Sequence, residues 1–212
     1  MASIQPARHG LVWQYSLSNR GLGTPPVVRK VVASAYNGAA IFVGDVVLAV
    51  NDGTVAICTA GLRPGWVVAA VERYKSPSDS LVRSGPYCPC SSSLTYSGSA
   101  SLDNPTATVL VCIPCRDQVF EATADTTGTS WAAAQAYVGE YADLVATAAG
   151  DTVTGISGYD IDISTHSASD GQFAIVGVPV YGIGQNTMND PTAAGYRVLV
   201  TVNPSELLDV GI

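Results

Sequence analysis

Turn residues cut this chain into short apolar runs, and that punctuation constrains the fold more than any other feature. From Pro26 onward, runs rich in Val, Ile, Thr and Tyr occupy 27–34, 40–50, 54–58, 65–73, 106–113, 118–124, 158–164, 172–181 and 195–203. Between them stand Asn51-Asp52-Gly53, Arg63-Pro64-Gly65, Asp103-Asn104-Pro105, Ser169-Asp170-Gly171 and Asn189-Asp190-Pro191. β-Branched and aromatic residues suit a pleated, half-buried surface, whereas Gly, Pro, Asn and Asp interrupt it. Asn-Asp-Gly-Thr between two apolar runs is a hairpin signal, because Asp-Gly tolerates positive φ. Short strands at this spacing predict an all-β domain, a β-sandwich or small barrel of about nine short strands, and argue against alternating β and α units.

Composition narrows the choice. Only 13% of the 212 residues are charged and 47% are hydrophobic, with 21 Gly and 12 Pro. Coiled coils, long-helix bundles and disordered acidic tails need far more charge. The longest apolar stretch, 39–50, is broken by Gly44 and Asp45 and is too short to span a bilayer. The opening MASIQPARHG lacks an apolar signal core, so no secretory leader is expected.

Three segments depart from the strand pattern. Residues 1–25 read as an N-terminal arm, carrying Arg8, His9, Trp13, Tyr15 and Arg20 and closing on turn punctuation. The aromatic and basic side chains Arg8, Trp13, Tyr15 and Arg20 would dock on this chain's own core or on a neighbouring subunit, and a subunit contact is the expectation. The stretch 76–101, rich in Ser, Pro and Gly, reads as an excursion from a β-rich domain that runs over 26–212. Ser130-Trp-Ala-Ala-Ala-Gln-Ala-Tyr137 predicts the one short helix, capped by Ser130 and ended near Gly139.

Charge is divided along the chain. Residues 1–100 carry eight basic and four acidic side chains, a net of +4, and residues 101–212 carry two basic and thirteen acidic, a net of −11. With scattered basic residues and a pI near 4.5, nucleic-acid binding is not expected. The uneven charge reads either as an acidic solvated surface or as a basic half facing an acidic partner.

Few residues offer chemistry. The cysteines stand at 58, 88, 90, 112 and 115. Cys88, Cys90, Cys112 and Cys115 could form a zinc ligand set, although Cys-Pro-Cys departs from the common two-residue gap. Disulfides and buried free thiols are the other readings, and buried thiols pack as small hydrophobes. Asp160 and Asp162, at i and i+2 on a strand, could hold a cation or act as an acid–base pair, with His166 and Asp170 nearby. The plainer reading is the exposed face of an edge strand, where like charge discourages pairing. A triad needs members converging from separate elements, which one turn does not provide. Gly21-Leu-Gly23 and Gly182-Ile-Gly184 are too short for a dinucleotide fingerprint. No catalytic residue and no cofactor is expected.

The order of motifs carries a resemblance. Ala40-Ile-Phe-Val-Gly-Asp-Val-Val leads into Asp52-Gly and then a Gly65-Trp-Val-Val-Ala-Ala-Val strand. Later come Cys115-Arg-Asp-Gln-Val-Phe-Glu-Ala-Thr, Asp143-Leu-Val and Thr154-Gly-Ile-Ser-Gly-Tyr-Asp-Ile-Asp. The end is Gln172-Phe-Ala-Ile-Val-Gly-Val, Asn189-Asp and Tyr196-Arg-Val-Leu-Val-Thr-Val-Asn203. Over residues 27–205 this resembles a group of tailed-bacteriophage virion structural proteins of similar length. Their members show an xxVFEVQ-like strand, a TGxSGxxLD-like turn and a last strand ending in Asn. The two cysteine pairs and the arm lie outside the shared pattern. The resemblance implies a structural role: a capsid decoration or cement protein on the capsid exterior, made in the host cytoplasm and bound to the major capsid protein. Self-association, guessed as a trimer, is expected with it, and neither nucleic acid nor membrane is an expected partner. The alternatives are another virion part (a head fibre, tail or receptor-binding module), a metal-dependent hydrolase using Asp160, Asp162 and His166, and a zinc-stabilised binding module.

Overall fold

A computed structural model describes residues 10–18, 23–33, 39–50, 53–75, 81–89, 101–105, 107–180, 189–193 and 195–206. Its strands are β1 (Val12–Ser16), β2 (Val28–Val31), β3 (Ile41–Phe42), β4 (Val46–Ala49), β5 (Val55–Ile57), β6 (Trp66–Lys75), β7 (Val82–Gly85) and β8 (Tyr87–Cys88). They continue as β9 (Val109–Pro114), β10 (Gln118–Thr123), β11 (Tyr141–Ala142), β12 (Leu144–Ala146), β13 (Tyr159–Ile161), β14 (Phe173–Gly177) and β15 (Arg197–Val202). The helix α1 spans Trp131–Ala136, and short 3-10 turns follow at Ile163–Thr165 and Pro204–Glu206. The protein is all-β, and no helix among the described residues is long and apolar enough to cross a membrane.

Two sheets carry the architecture. In one, the strands run β2-β9-β6-β4-β5, each pair antiparallel. Neighbours that alternate in direction around five strands leave the first and last pointing the same way. Closure therefore demands a parallel pair. That pair is present: Val32 bridges Val55 in parallel, and Ala33 N donates to Val55 O at 3.3 Å. The sheet thus closes into a small barrel, which removes its edges. The second sheet is open, in the order β1-β10-β15-β14-β11.

Alternation along the strands builds two cores from the barrel wall. Val47, Val68 and Cys112 point inward to join Val32, Trp66 and Leu110. Their neighbours Val46, Val67 and Ile113 point outward against Phe120, Val198, Val200, Phe173 and Ile175 of the open sheet. Successive side chains alternate between faces, so a wall buried on both sides reads as an unbroken apolar run. Each large side chain removed from water in this way contributes about 1.5–3 kcal/mol.

Most expected runs become strands, with shifts that have local causes. Run 40–50 divides into β3 and β4 at Gly44, whose φ is 90°. The hairpin between β4 and β5 forms, with Val50 N on Thr54 O at 2.8 Å, Gly53 N on Val50 O at 2.9 Å, and the positive φ falling on Gly53 at 81°. Run 158–164 ends as a strand at Ile161, because Asp162 caps a 3-10 turn through Thr165 N at 3.1 Å. The helix begins as expected, with Ser130 Oγ accepting from Ala133 N at 3.2 Å.

Three expectations are corrected. The chain has fifteen strands among the described residues rather than about nine. The segment 1–25 is not an arm throughout, since β1 is a strand of the open sheet. The excursion at 76–101 contains β7, paired with β6, and β8, paired with β3. Tyr87 stacks on Phe42 with ring centroids 5.0 Å apart, so one aromatic pair anchors a segment whose composition signals only turns.

Candidate functional site

The expected contact strand, β1, is built into its own sheet from one face. Trp13 lies opposite Phe120, and Tyr15 opposite Val119, with a bulge between them. Trp13 packs on the inter-sheet core, and its Nε1 donates to Gln118 Oε1 at 2.7 Å. Ser16 Oγ donates to the same oxygen at 2.7 Å. Gln118 is buried, so these bonds satisfy an amide that water cannot reach. Beyond the strand, Leu17 N donates to Asp117 O at 2.9 Å. Trp13 thus anchors β1 to this chain. Tyr15, on the other face, is half-buried, and Val12 and Leu17 are exposed. No described strand pairs with the outer edge of β1, which is the feature most suited to contact with another chain. Arg8, His9 and Arg20 lie outside the described residues.

Just before β1 the chain crosses a crowded junction. Leu11 N donates to Gly44 O at 3.0 Å. Gly10 has φ 59°, and a Cβ there would stand 2.5 Å from Ser157 Cβ and 2.8 Å from Gly44 O. Only glycine fits that crossing. Val43 N donates to Gly155 O at 2.9 Å and Ser157 N to Val43 O at 3.0 Å; Gly44 N reaches Val68 O and Val68 N reaches Asp45 O, both at 2.8 Å. Three separate segments therefore hang on the turn Val43–Gly44–Asp45. Asp45 is 1% exposed, and its Oδ2 accepts from Phe42 N at 2.8 Å. Its Oδ1 has no hydrogen-bond partner. Burial pushes this carboxyl up to about 6, while the Ser157 hydroxyl and the Phe42 amide pull the other way. Nothing in the sequence around Asp45 signals a buried acid, because a turn aspartate beside glycine is ordinarily solvated.

The cysteines pack as hydrophobes. Cys58, Cys88, Cys112 and Cys115 are all buried. Cys88 and Cys112 lie in the barrel interior, and Cys58 and Cys115 in the inter-sheet core. An odd spacing of three sends Cys112 and Cys115 to opposite sides of the wall, so Cys115 is not gathered with Cys88 and Cys112 as the alternative zinc set would need; Cys90 lies outside the described residues. Burial pushes Cys58 and Cys112 each up to about 12 and raises Cys115 well above the ordinary thiol range, which keeps them as unreactive thiols.

The acid cluster comes apart in the same way. Asp160 is fully buried and accepts from the Thr147 hydroxyl, so the expected exposed face of an edge strand is corrected. Asp162 accepts from Ser164 Oγ at 2.6 Å as a cap. Burial raises its pKa, but the Ser164 and Thr165 hydrogen bonds outweigh that and hold it below the usual range. His166 has both ring nitrogens engaged, Nδ1 with Ile163 O at 2.8 Å and Nε2 with Glu140 Oε2 at 3.2 Å. Asp170 is exposed. Among the described residues, no three His, Cys, Asp or Glu side chains come together in a way that could hold a metal ion. Gly182-Ile-Gly184 and most of Gly21-Leu-Gly23 lie outside the described residues.

Charge separates by layer. Residues 117–196 contain ten acidic side chains and no Lys or Arg. The barrel carries Arg29, paired with Glu72 at 2.6 Å, and Lys30, whose ammonium sits 4.0 Å from the Trp66 ring centroid. Arg73 Nε donates to Ala107 O at 3.3 Å and its guanidinium also reaches Asn104 O at 3.1 Å, which pins the loop before β9. In the open sheet, Arg197 pairs with Glu121, a carboxylate only 2% exposed. Sequence reasoning missed this pair, since Glu121 and Arg197 are 76 residues apart.

No family model, no curated protein and no solved structure matches this chain.

Proposed function

We propose that this chain is a structural protein of a tailed-bacteriophage virion that binds the outer surface of the head and stabilises the shell by bridging capsid subunits. The observation that carries the reading is the ordered set of motifs: Gln118-Val-Phe-Glu, Thr154-Gly-Ile-Ser-Gly-Tyr-Asp-Ile-Asp and a last strand ending at Asn203. The residues in those motifs are ones a fold cannot easily change. Val119 and Phe120 are fully buried. A Cβ on Gly155 would stand 2.3 Å from Pro86 Cβ, and one on Gly158 2.2 Å from Ala148 O. Asn203 Nδ2 donates to Gly171 O at 2.8 Å, tying the end of β15 to the start of β14. A pattern that rests mainly on such positions marks a scaffold and leaves the surface free to suit a particular lattice.

A role in binding by surface area also suits the chemistry. The thiols among the described residues are buried, the acids of the 160–170 turn are dispersed, and β1 offers an open edge with exposed Val12 and Leu17. In this reading β1 and the residues before it meet a neighbouring subunit, and the acidic layer faces solvent. Virions made without this protein test the reading. They should assemble, infect at low temperature, and release their genome at a lower temperature than complete virions, with purified protein restoring the difference. Virions of unchanged thermal stability that fail to adsorb to cells would move the chain to a tail, head-fibre or receptor-binding role.

A further inference from the structure

We propose that His166 is a proton-operated clasp on the far edge of the open sheet: as the imidazolium it ties the 163–167 turn to Glu140 and keeps Ser167 paired along β11, and on losing its proton it lets that cover loosen. The inference concerns the chain alone and stands or falls apart from the virion reading.

The edge concerned lies opposite β1. β11 ends the open sheet, and its outer side carries one further rung: Tyr141 N donates to Ser167 O and Ser167 N to Tyr141 O, both at 2.8 Å. The 3-10 turn Ile163–Thr165 leads into this rung, with His166 as its C-cap. A bare strand edge is a template for another chain, so whatever holds the rung decides how open the edge is.

The His166 ring reaches in two directions. Nδ1 lies 2.8 Å from Ile163 O, and Nε2 lies 3.2 Å from Glu140 Oε2. A backbone carbonyl only accepts, and so does an ionised carboxylate. A neutral imidazole has one N–H, so either tautomer turns a lone pair on one of those two oxygens, whereas the imidazolium donates to both. Tyr137, the C-cap of α1, packs against the ring with centroids 4.6 Å apart and planes at 65°, which fixes the ring's orientation. The other titratable groups around the turn are engaged with neighbours of their own. Asp125 Oδ1 accepts from Ile163 N at 2.8 Å, and Asp162 Oδ1 accepts from Ser164 Oγ and Thr165 N. Burial pushes the Tyr196 phenol up, so it stays neutral. When the ring is deprotonated its proton passes to water, and one of the two hydrogen bonds goes with it. The clasp is therefore closed while Glu140 is ionised and the ring charged, and it opens as pH rises through the range where imidazoles titrate, about 5 to 8.

Amide hydrogen exchange on the purified full chain tests this, with rates divided by their intrinsic values. The Glu140 and His166 side chains are 33% and 34% exposed, so solvent screens the pair and the effect is modest. Protection of the Ser167 amide should fall about three-fold between about pH 5.5 and about pH 8.5. In His166→Gln it should be low and independent of pH. Glu140→Gln keeps the ring and removes the charge it faces. There the fall should shrink, and the ¹⁵N shifts of the His166 ring should show it giving up its proton at a lower pH than in wild type. This second variant keeps the test open if His166→Gln fails to fold. Equal pH dependence of Ser167 in wild type and His166→Gln, or none in wild type, overturns the clasp. An unmoved ring titration in Glu140→Gln overturns it as well.

Discussion

The barrel and the open sheet solve the same problem by different means. The barrel closes on itself through Val32 and Val55, and its interior is almost wholly apolar, from Val47 and Val68 to Leu110 and Trp66. The open sheet has two edges, and it relies on buried polar ties. Glu121 pairs with Arg197; Asn189 Oδ1 accepts from Arg197 N at 2.6 Å and its Nδ2 donates to Pro179 O at 2.7 Å. Gln172 Nε2 donates to Thr59 O at 2.9 Å, and its Oε1 accepts from Leu144 N at 2.9 Å. Closure specifies the barrel's register geometrically. The open sheet needs directional bonds, each costly to break, to fix which strand lies where.

The interface between the two regions should give the largest effect. Phe120→Ala opens a cavity between them and should cost about 4 kcal/mol, read as a lower urea midpoint with unchanged slope. A change in slope as well would mean that the barrel survives while the sheet melts. The next comparison sets one ion pair in each region against the other. Arg197→Met takes the cation away from a buried carboxylate and should cost about 3 kcal/mol, whereas Arg29→Met removes an exposed pair and should cost under about 1 kcal/mol. Similar losses at both sites would erase the distinction drawn here.

Between these in size lies the acid at the junction. A raised folded pKa favours the neutral form, so the contribution of Asp45 is fully present below 3.8 and is lost as pH rises through about 6. Thermal unfolding should show Asp45→Asn more stable than wild type by about 2 kcal/mol at about pH 7.5, with the two converging near pH 4. A constant offset across that range would assign the effect to packing. A smaller change is expected in Ser130→Ala, which removes the cap of α1 and should cost about 1 kcal/mol in the same assay.

How far the sequence was legible differs between the regions in a physically consistent way. Local signals were readable: the β4–β5 hairpin from its Asp-Gly turn, the helix from Ser130 and its alanines, and β15 from its apolar run. Long-range events were not. The closing bridge joins residues 23 positions apart without any shared motif. β1 was hidden because Gly and Pro follow it, and its pairing with β10 spans more than a hundred residues. β7 and β8 were masked by a Ser- and Pro-rich composition and are held by the Phe42–Tyr87 stack. At the candidate site, spacing suggested paired cysteines and paired aspartates. Faces of strands decided otherwise, sending Cys112 and Cys115 into different cores and leaving Asp160 buried while Asp162 caps a turn. Asp45 gave no local sign, since only the arrival of Gly10 and Ser157 from far along the chain buries it.

The central claim is a structural role on the head, and copy number tests it most directly. Quantitative mass spectrometry of purified source virions would scale this chain to the major capsid protein. The account predicts a ratio near one or near a simple fraction of the icosahedral lattice. A few copies per particle, or complete absence from the virion, would contradict it.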